Sequence, residues 1–314
     1  MVKLTIRYRR DQMHTHPQKM IEQAIRLRLK KVVQLVADVA TKSDRNVERI
    51  HDLRTETRRA DAALRLFVDW LPRRRTERIR RHMGDIREKA GEVRDLDVQL
   101  PLLESLNQQL SVETLNWLRD RIVGLQEKKE RSLKLHCRQL VEWGFTSKTR
   151  SLTHHVQWRQ SGTMPSIHEF CCLEIGRFTT RFDAAVELLK SDSQQLHHVR
   201  IQGRRLRYSL DLMRDVLPES PLKVVCDKLT ELQDSLGRAN DQNTMLRFLN
   251  DSAKDEELGP LLNPVITQLN AVTSEQLDHI IQAALRTADE VHSDLAEMTS
   301  GKIHGLVAQA NSEA

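Results

Sequence analysis

Two windows of the sequence carry a histidine, an arginine three residues on, and then a pair of arginines. They are His51, Arg54, Arg58 and Arg59 in HDLRTETRRADAALRLF (51–67), and His197, Arg200, Arg204 and Arg205, with Arg207 beyond, in HHVRIQGRRLRYSLDLM (197–213). A guanidinium is a planar fork of donors matched to two phosphate or carboxylate oxygens, and an imidazole changes charge near neutrality. On a helix, at about 100° per residue, His51, Arg54, Arg58 and Arg65 fall within an arc of roughly 60°, and His197, Arg200 and Arg204 repeat the arrangement. Like charges at this spacing repel, so an anion is expected beside them. A solvated amphipathic face is the ordinary reading of such a stripe, but acids would then be interleaved. The first two turns of each arc hold none; Asp61 and Asp69 lie at the far end of the first, and Arg65 corresponds to Asp211 in the second.

The two windows share one register. The offset of 146 positions from His51 to His197 also pairs Arg54 with Arg200, Arg58 with Arg204, Leu71-Pro72 with Leu217-Pro218, Gly91 with Gly237 and Asp95 with Asp241. A gapless match over about 45 residues, across a helix-ending Leu-Pro and a distant Gly-x-x-x-Asp, is an internal duplication.

Helices must carry these stripes. Leu, Ala, Arg, Glu, Gln and Lys dominate, while only 11 Gly and 8 Pro interrupt the 314 residues, so an all-α protein is expected. The pattern predicts a first helix over 17–40, a second ending at Leu71-Pro72, a third from near Thr76 to about Gln109, and a fourth from Ser111 to near Gly144. Leu53, Ala60, Leu64, Phe67 and Leu71 form the apolar side of the second helix, and Val199, Leu206, Leu210, Met213 and Leu217 that of its copy. Residues 146–165, with Gly162 and Pro165, read as a linker. The expected organisation is an unassigned segment 1–15, a repeat over 16–145, the linker, and a second repeat over 166–314. Within the first segment, residues 2–9 alternate as a strand would, with no evident partner.

The charge is moderately basic, +6 with 44 acidic residues. The four cysteines, Cys137, Cys171, Cys172 and Cys226, show no C-x-x-C spacing, and Met1 opens no signal peptide, so a cytoplasmic, reducing address is expected. No apolar run approaches the roughly 20 residues of a membrane helix, so no membrane is expected as a partner.

Catalytic signals are weak. Asp95 and Asp97 stand two apart on a helix and point in different directions, and the repeat has Asn243 for Asp97. Asp95 and Asp241 are better read as orienting arginines or capping an irregularity near Gly91 and Gly237. No P-loop, nucleophile elbow or H-E-x-x-H occurs, and His14-x-His16, His154-His155 and His197-His198 lack companion ligands at metal spacing. Neither enzyme activity, a metal nor a cofactor is expected.

The H-x-x-R-x-x-x-R-R pairs, VRDLDV (93–98), LHHVRIQGRRLRYSL (196–210) and LQDSLGRANDQ (232–242) together resemble the conserved histidine α-helical domain, or CHAD, family from about residue 16 onward. The resemblance implies two four-helix units about a pseudo-two-fold axis, with basic helices lining a central cavity. It also implies inorganic polyphosphate as ligand and, in some members, a place on polyphosphate or polyhydroxyalkanoate granules. Carried across, the family's basic cluster falls on His51, Arg54, Arg58 and Arg59 and on His197, Arg200, Arg204, Arg205 and Arg207; Arg94 lies in the family's RDLD. Ala60-Asp61 departs from the family's usual Leu-Arg and weakens one side. The E-x-E-x-K signature of the often-fused triphosphate-tunnel domain is absent, which points to a stand-alone domain.

Polyphosphate suits the residues on chemical grounds as well. It carries about one negative charge per phosphate and has no bases to stack, which fits arginine over lysine and aromatics at 4%. Two readings stand for His51 and His197, local hydrogen bonding and ligand contact. Two also stand for Lys31, its counterpart Arg177, and Arg181: an extension of the cavity wall, or solvated charge. Arg80, Arg87 and Arg94 recur every seven residues on the third helix, but their counterparts Cys226, Gln233 and Asn240 are uncharged. The alternatives to polyphosphate binding are a nucleic-acid binder, opposed by the lack of stacking aromatics, and a granule-coat protein, for which no detached amphipathic segment is seen.

Overall fold

The computed structural model describes residues 17–312 apart from 43, 45, 193, 194, 215 and 218. The strand-like residues 2–9, His14, His16 and Pro218 lie outside them. The described residues form nine α-helices and no strand: α1 (Pro17–Thr41), α2 (Val47–Leu66), α3 (Arg73–Glu104), α4 (Val112–Glu142), α5 (Phe145–Thr153), α6 (Ile167–Ser191), α7 (Leu196–Met213), α8 (Glu219–Ser252) and α9 (Gly259–Ser312).

Local chemistry accounts for the boundaries. Asn46 caps α2 by accepting from the Arg49 amide at 2.8 Å. Ser111 caps α4, and Ser166 and Glu169 form a reciprocal capping box at α6. The α-helical part of α2 stops at Leu66, earlier than the expected Leu71-Pro72, because the chain tightens into a 3-10 turn over Val68–Trp70. Leu71 is then extended (φ −116°, ψ 146°), as a residue before proline prefers, and α3 follows at once.

The expected linker at 146–165 is partly helical. After Gly144, whose φ of 80° is open to glycine, α5 packs on α3 and α4 and buries Phe145, Thr149, Leu152 and Thr153. The strap beyond it pairs with the end of the 3-10 turn: Gln157 N–H donates to Trp70 C=O (2.9 Å) and Arg159 N–H to Asp69 C=O (3.0 Å). Trp158 stands edge-on to the buried Trp70, ring centroids 5.2 Å apart.

The chain divides into two compact units. The first comprises Ile21–Arg159 and Arg238–Gln276. The second comprises Gln160–Gly237, the residues from Leu277 onward and the first turn of α1. Both α8 and α9 therefore contribute one stretch to each unit. The expected apolar side of α2 is the buried one, Leu53, Ala60, Leu64, Phe67 and Leu71 all being at most 2% exposed. In the first unit it joins Ile25 and Val32 of α1, Met83 and Ile86 of α3, and Leu133 and Cys137 of α4 as core residues. A second cluster of this unit joins Leu103, Leu106, Leu118 and Ile122 to Leu249, Leu262 and Val265. The second unit's core holds Phe178 and Phe182 of α6, Val199, Leu206, Leu210 and Met213 of α7, and Leu229 of α8. Each such side chain, fully buried, contributes about 1.5–3 kcal/mol. The thiols of Cys137 and Cys171 are pushed to about 12 by burial, which leaves them inert. Among the described residues no helix is long and apolar enough to cross a membrane.

Candidate functional site

In the first unit the stripe of α2 lies beside α3. The Arg54 side chain is 19% exposed, and its Nη2 is 3.6 Å from Asp95 Oδ1. Its guanidinium passes over Gly91, where an added Cβ would lie 3.7 Å from Nε. Gly91 and Asp95 are one turn apart on α3, so one face of that helix offers both a flat seat and an acid. Asp95 thus pairs with an arginine, in keeping with the first of the two roles expected for it. The buried Arg54 Nε has no hydrogen-bond partner among the described residues, and leaving such a donor unsatisfied costs about 1–3 kcal/mol.

His51 stands at the exposed start of the same face. Enough protein surrounds its ring that lost hydration is the largest influence on its pKa, followed by the charge of Arg94; Arg54 and Arg58 add to these, Asp52 opposes them, and the net direction is downward. Four of the expected residues, His51, Arg54 and Arg58 from α2 and Arg94 from α3, are thus electrostatically one group.

Other expected residues are engaged elsewhere. Glu56, only 7% exposed, takes Arg59 at 2.7 Å and Lys31 at 3.6 Å. Arg65 donates through Nε to Asp61 at 2.8 Å. Asp61 also accepts from Arg80 Nε at 2.8 Å and lies 3.7 Å from Arg87 Nη2. Its burial raises the carboxyl pKa, but the Arg87 charge and the hydrogen bonds from Arg65 and Arg80 outweigh that and hold it below its ordinary value. The acid-free arc of the sequence is therefore met by acids from α3 and from α2's own flank. Asp61 was legible only as a flaw in the stripe; its place amid the apolar run ADAALRL was the available sign that it is buried.

In the second unit, an added Cβ at Gly237 would lie 4.0 Å from Arg200 Nη2, the contact that the 146 offset equates with Arg54 over Gly91. Gln233 donates to the Arg200 carbonyl at 3.1 Å. Arg205 donates to Gln202 at 3.3 Å, and Gln202 in turn contacts His198 Nε2 at 2.9 Å. Arg207 lies over the Tyr208 ring, 4.8 Å from its centroid, and its buried Nε has no partner among the described residues. His197 is exposed, while Arg200 and Arg204 are half-buried. Arg177 pairs with Glu174 at 2.5 Å, and Arg181 lies 5.8 Å from the centroid of Phe178; both are exposed on α6.

Asp97 accepts from Gln126 Nε2 at 3.0 Å. Among the described residues no group of three or more His, Cys, Asp or Glu is placed to hold a metal ion. The arrangement offers guanidinium forks, half-buried donors and a titratable imidazole, which is equipment for holding an oxyanion.

The family model described as CHAD domain matches residues 23–250. The crystal structure of the CHAD domain from the plant Ricinus communis superposes with a TM-score of 0.63 at 17% identity, covering 89% of this chain and 91% of that one. PptA from Streptomyces chartreusis superposes with a TM-score of 0.64 at 16% identity, covering 88% and 99%. At such identities the likeness is one of fold. No curated protein matches the chain.

Proposed function

Since the chain belongs to the CHAD domain family, which is linked to polyphosphate binding in general, we propose that it binds inorganic polyphosphate through the arginine and histidine stripes of α2 and α7. The observation that carries the reading is the grouping of His51, Arg54, Arg58 and Arg94, with a buried Arg54 donor still to be satisfied. Bound phosphate oxygens would meet those donors and neutralise the mutual repulsion of the cations. The second stripe offers the same chemistry through His197, Arg200, Arg204 and Arg207. The reaction is binding without turnover, and in the cell it would place the protein on polyphosphate granules.

The test compares long-chain polyphosphate with single- and double-stranded DNA at matched charge and about 0.15 M salt, where loose electrostatic attraction is largely screened. Polyphosphate is expected to bind far more tightly than DNA and to release no orthophosphate. Replacing Arg54, Arg58, Arg200 and Arg204 together by Ala should abolish binding in a protein of unchanged helix content, and should disperse a fluorescent fusion from granules. DNA bound as tightly as polyphosphate, or a quadruple variant of unchanged affinity, would refute the reading.

A further inference from the structure

We propose that Arg65, Arg80 and Arg87, gathered by Asp61, form a separate subsite of the first unit for a phosphate oxyanion, and that the second unit carries no equivalent arginine trio. This rests on the polyphosphate reading above and extends it to residues which the stripes do not include as a group.

Three guanidinia surround one carboxylate. Asp61 is 8% exposed, and its two oxygens take Arg65 and Arg80 at 2.8 Å each, with Arg87 at 3.7 Å. A carboxylate offers about four lone-pair sites, whereas each guanidinium brings five donors. Arg87 spends one on the Thr57 carbonyl at 3.4 Å, and most of the others are left over. The three arginine side chains are 36%, 22% and 24% exposed, so solvent or a ligand reaches them.

The charge is unbalanced. Burial depresses the Arg87 pKa, and the charges of Arg65 and Arg80 add to that against Asp61 and the more weakly felt Asp85. A purely structural ion-pair network in a half-buried place should be near neutrality, because surplus charge there is costly. This one holds three cations against one central anion. A tetrahedral phosphate, with oxygens directed at several forks, is the chemistry that fills the deficit.

The 146 offset places Arg207, Asp211, Cys226 and Gln233 at the positions of Asp61, Arg65, Arg80 and Arg87. The central pair is inverted in sign, and the two outer arginines become uncharged. The net charge of the four residues falls from +2 to zero. Arg207 influences Cys226, whose thiol is pushed to about 11 chiefly by burial, so these two neighbour each other as Asp61 and Arg80 do.

Inorganic tripolyphosphate is the probe, titrated into the full chain, Arg80→Gln/Arg87→Gln and Asp61→Asn, with affinity and melting temperature both read. The double variant should bind about a hundredfold more weakly or worse, as expected for two lost charge-assisted hydrogen bonds. Asp61→Asn should melt lower without ligand, since three cations lose their counter-charge, yet bind tripolyphosphate more tightly. A lower melting temperature with no gain in affinity, or an unchanged double variant, reduces the cluster to a structural network and overturns the proposal. Should the double variant not fold, the Nε–H resonances of Arg65, Arg80 and Arg87 in the unmodified protein decide the matter. Their shift on titration supports the subsite; a shift confined to Arg54 and Arg58 refutes it while leaving the polyphosphate reading intact. If the unmodified protein binds neither tripolyphosphate nor long-chain polyphosphate, both fail.

Discussion

At neutral pH the His51 imidazole is mostly uncharged, because lost hydration and then Arg94 depress its pKa below the ordinary 6.5. Phosphates held by the same arginines would raise it again. Binding therefore takes up protons, and affinity should rise as pH falls from about 7.5 towards 5.5. In His51→Gln that dependence should shrink; an unchanged slope would remove His51 from the ligand's neighbourhood. The free protein behaves in the opposite sense. A histidine whose folded pKa is depressed is protonated more readily when unfolded, so its contribution to stability is present above 6.5 and lost below it. Burial also depresses His82 and His136, so the unliganded protein should melt at lower temperature as pH drops through that range. Scanning calorimetry at several pH values, with and without polyphosphate, separates the two signs.

Two helix glycines, Gly259 and Gly237, meet very different surroundings. At Gly259, which opens α9, an added Cβ would lie 2.8 Å from the Ala253 carbonyl oxygen, a backbone atom with no freedom to swing aside. Gly259→Ala should thus cost about 1–3 kcal/mol, as overpacking does. At Gly237 the nearest atom is Arg200 Nη2 at 4.0 Å, an ordinary contact with a flexible tip. Gly237→Ala should be tolerated or slightly stabilising, since alanine favours helix by up to about 1 kcal/mol. Paired thermal melts check both; equal losses would contradict this account. The sequence signalled Gly237 through the repeat, and Gly259 not at all, because the close approach there depends on how the short connection from α8 turns back on itself.

For the whole molecule, the repeat boundaries and the compact units are different divisions of one chain. The first repeat ends at 145 by sequence, yet the first unit takes in Arg238–Gln276 as well. Leu103, Leu106, Leu118 and Ile122 are buried in a cluster with Leu249, Leu262 and Val265, which belong to α8 and α9. A fragment comprising residues 16–165 would leave those leucines in water, at a loss of about 1.5–3 kcal/mol for each side chain fully uncovered. Expressed alone, it should aggregate or show poorly dispersed amide resonances. A well-dispersed, cooperatively melting fragment would show that the first repeat folds on its own.

Composition and periodicity alone determined the all-helical class, the buried side of α2 and, apart from the half-exposed Leu217, that of α7, the capping residue Ser111, and the duplicated arginine and histidine pattern. These follow from forces acting within a few turns of chain: a 3.6-residue repeat, side chains reaching nearby amides, and a fixed offset between like windows. The tertiary structure decided which acid meets which arginine. Asp95 reaches Arg54 from another helix, and Arg80 and Arg87 of α3 converge on Asp61 of α2, because packed helices set neighbours that sequence distance does not encode. It also turned the start of the expected linker into α5, whose Phe145 and Leu152 become apolar anchors only where α3 and α4 stand ready to cover them.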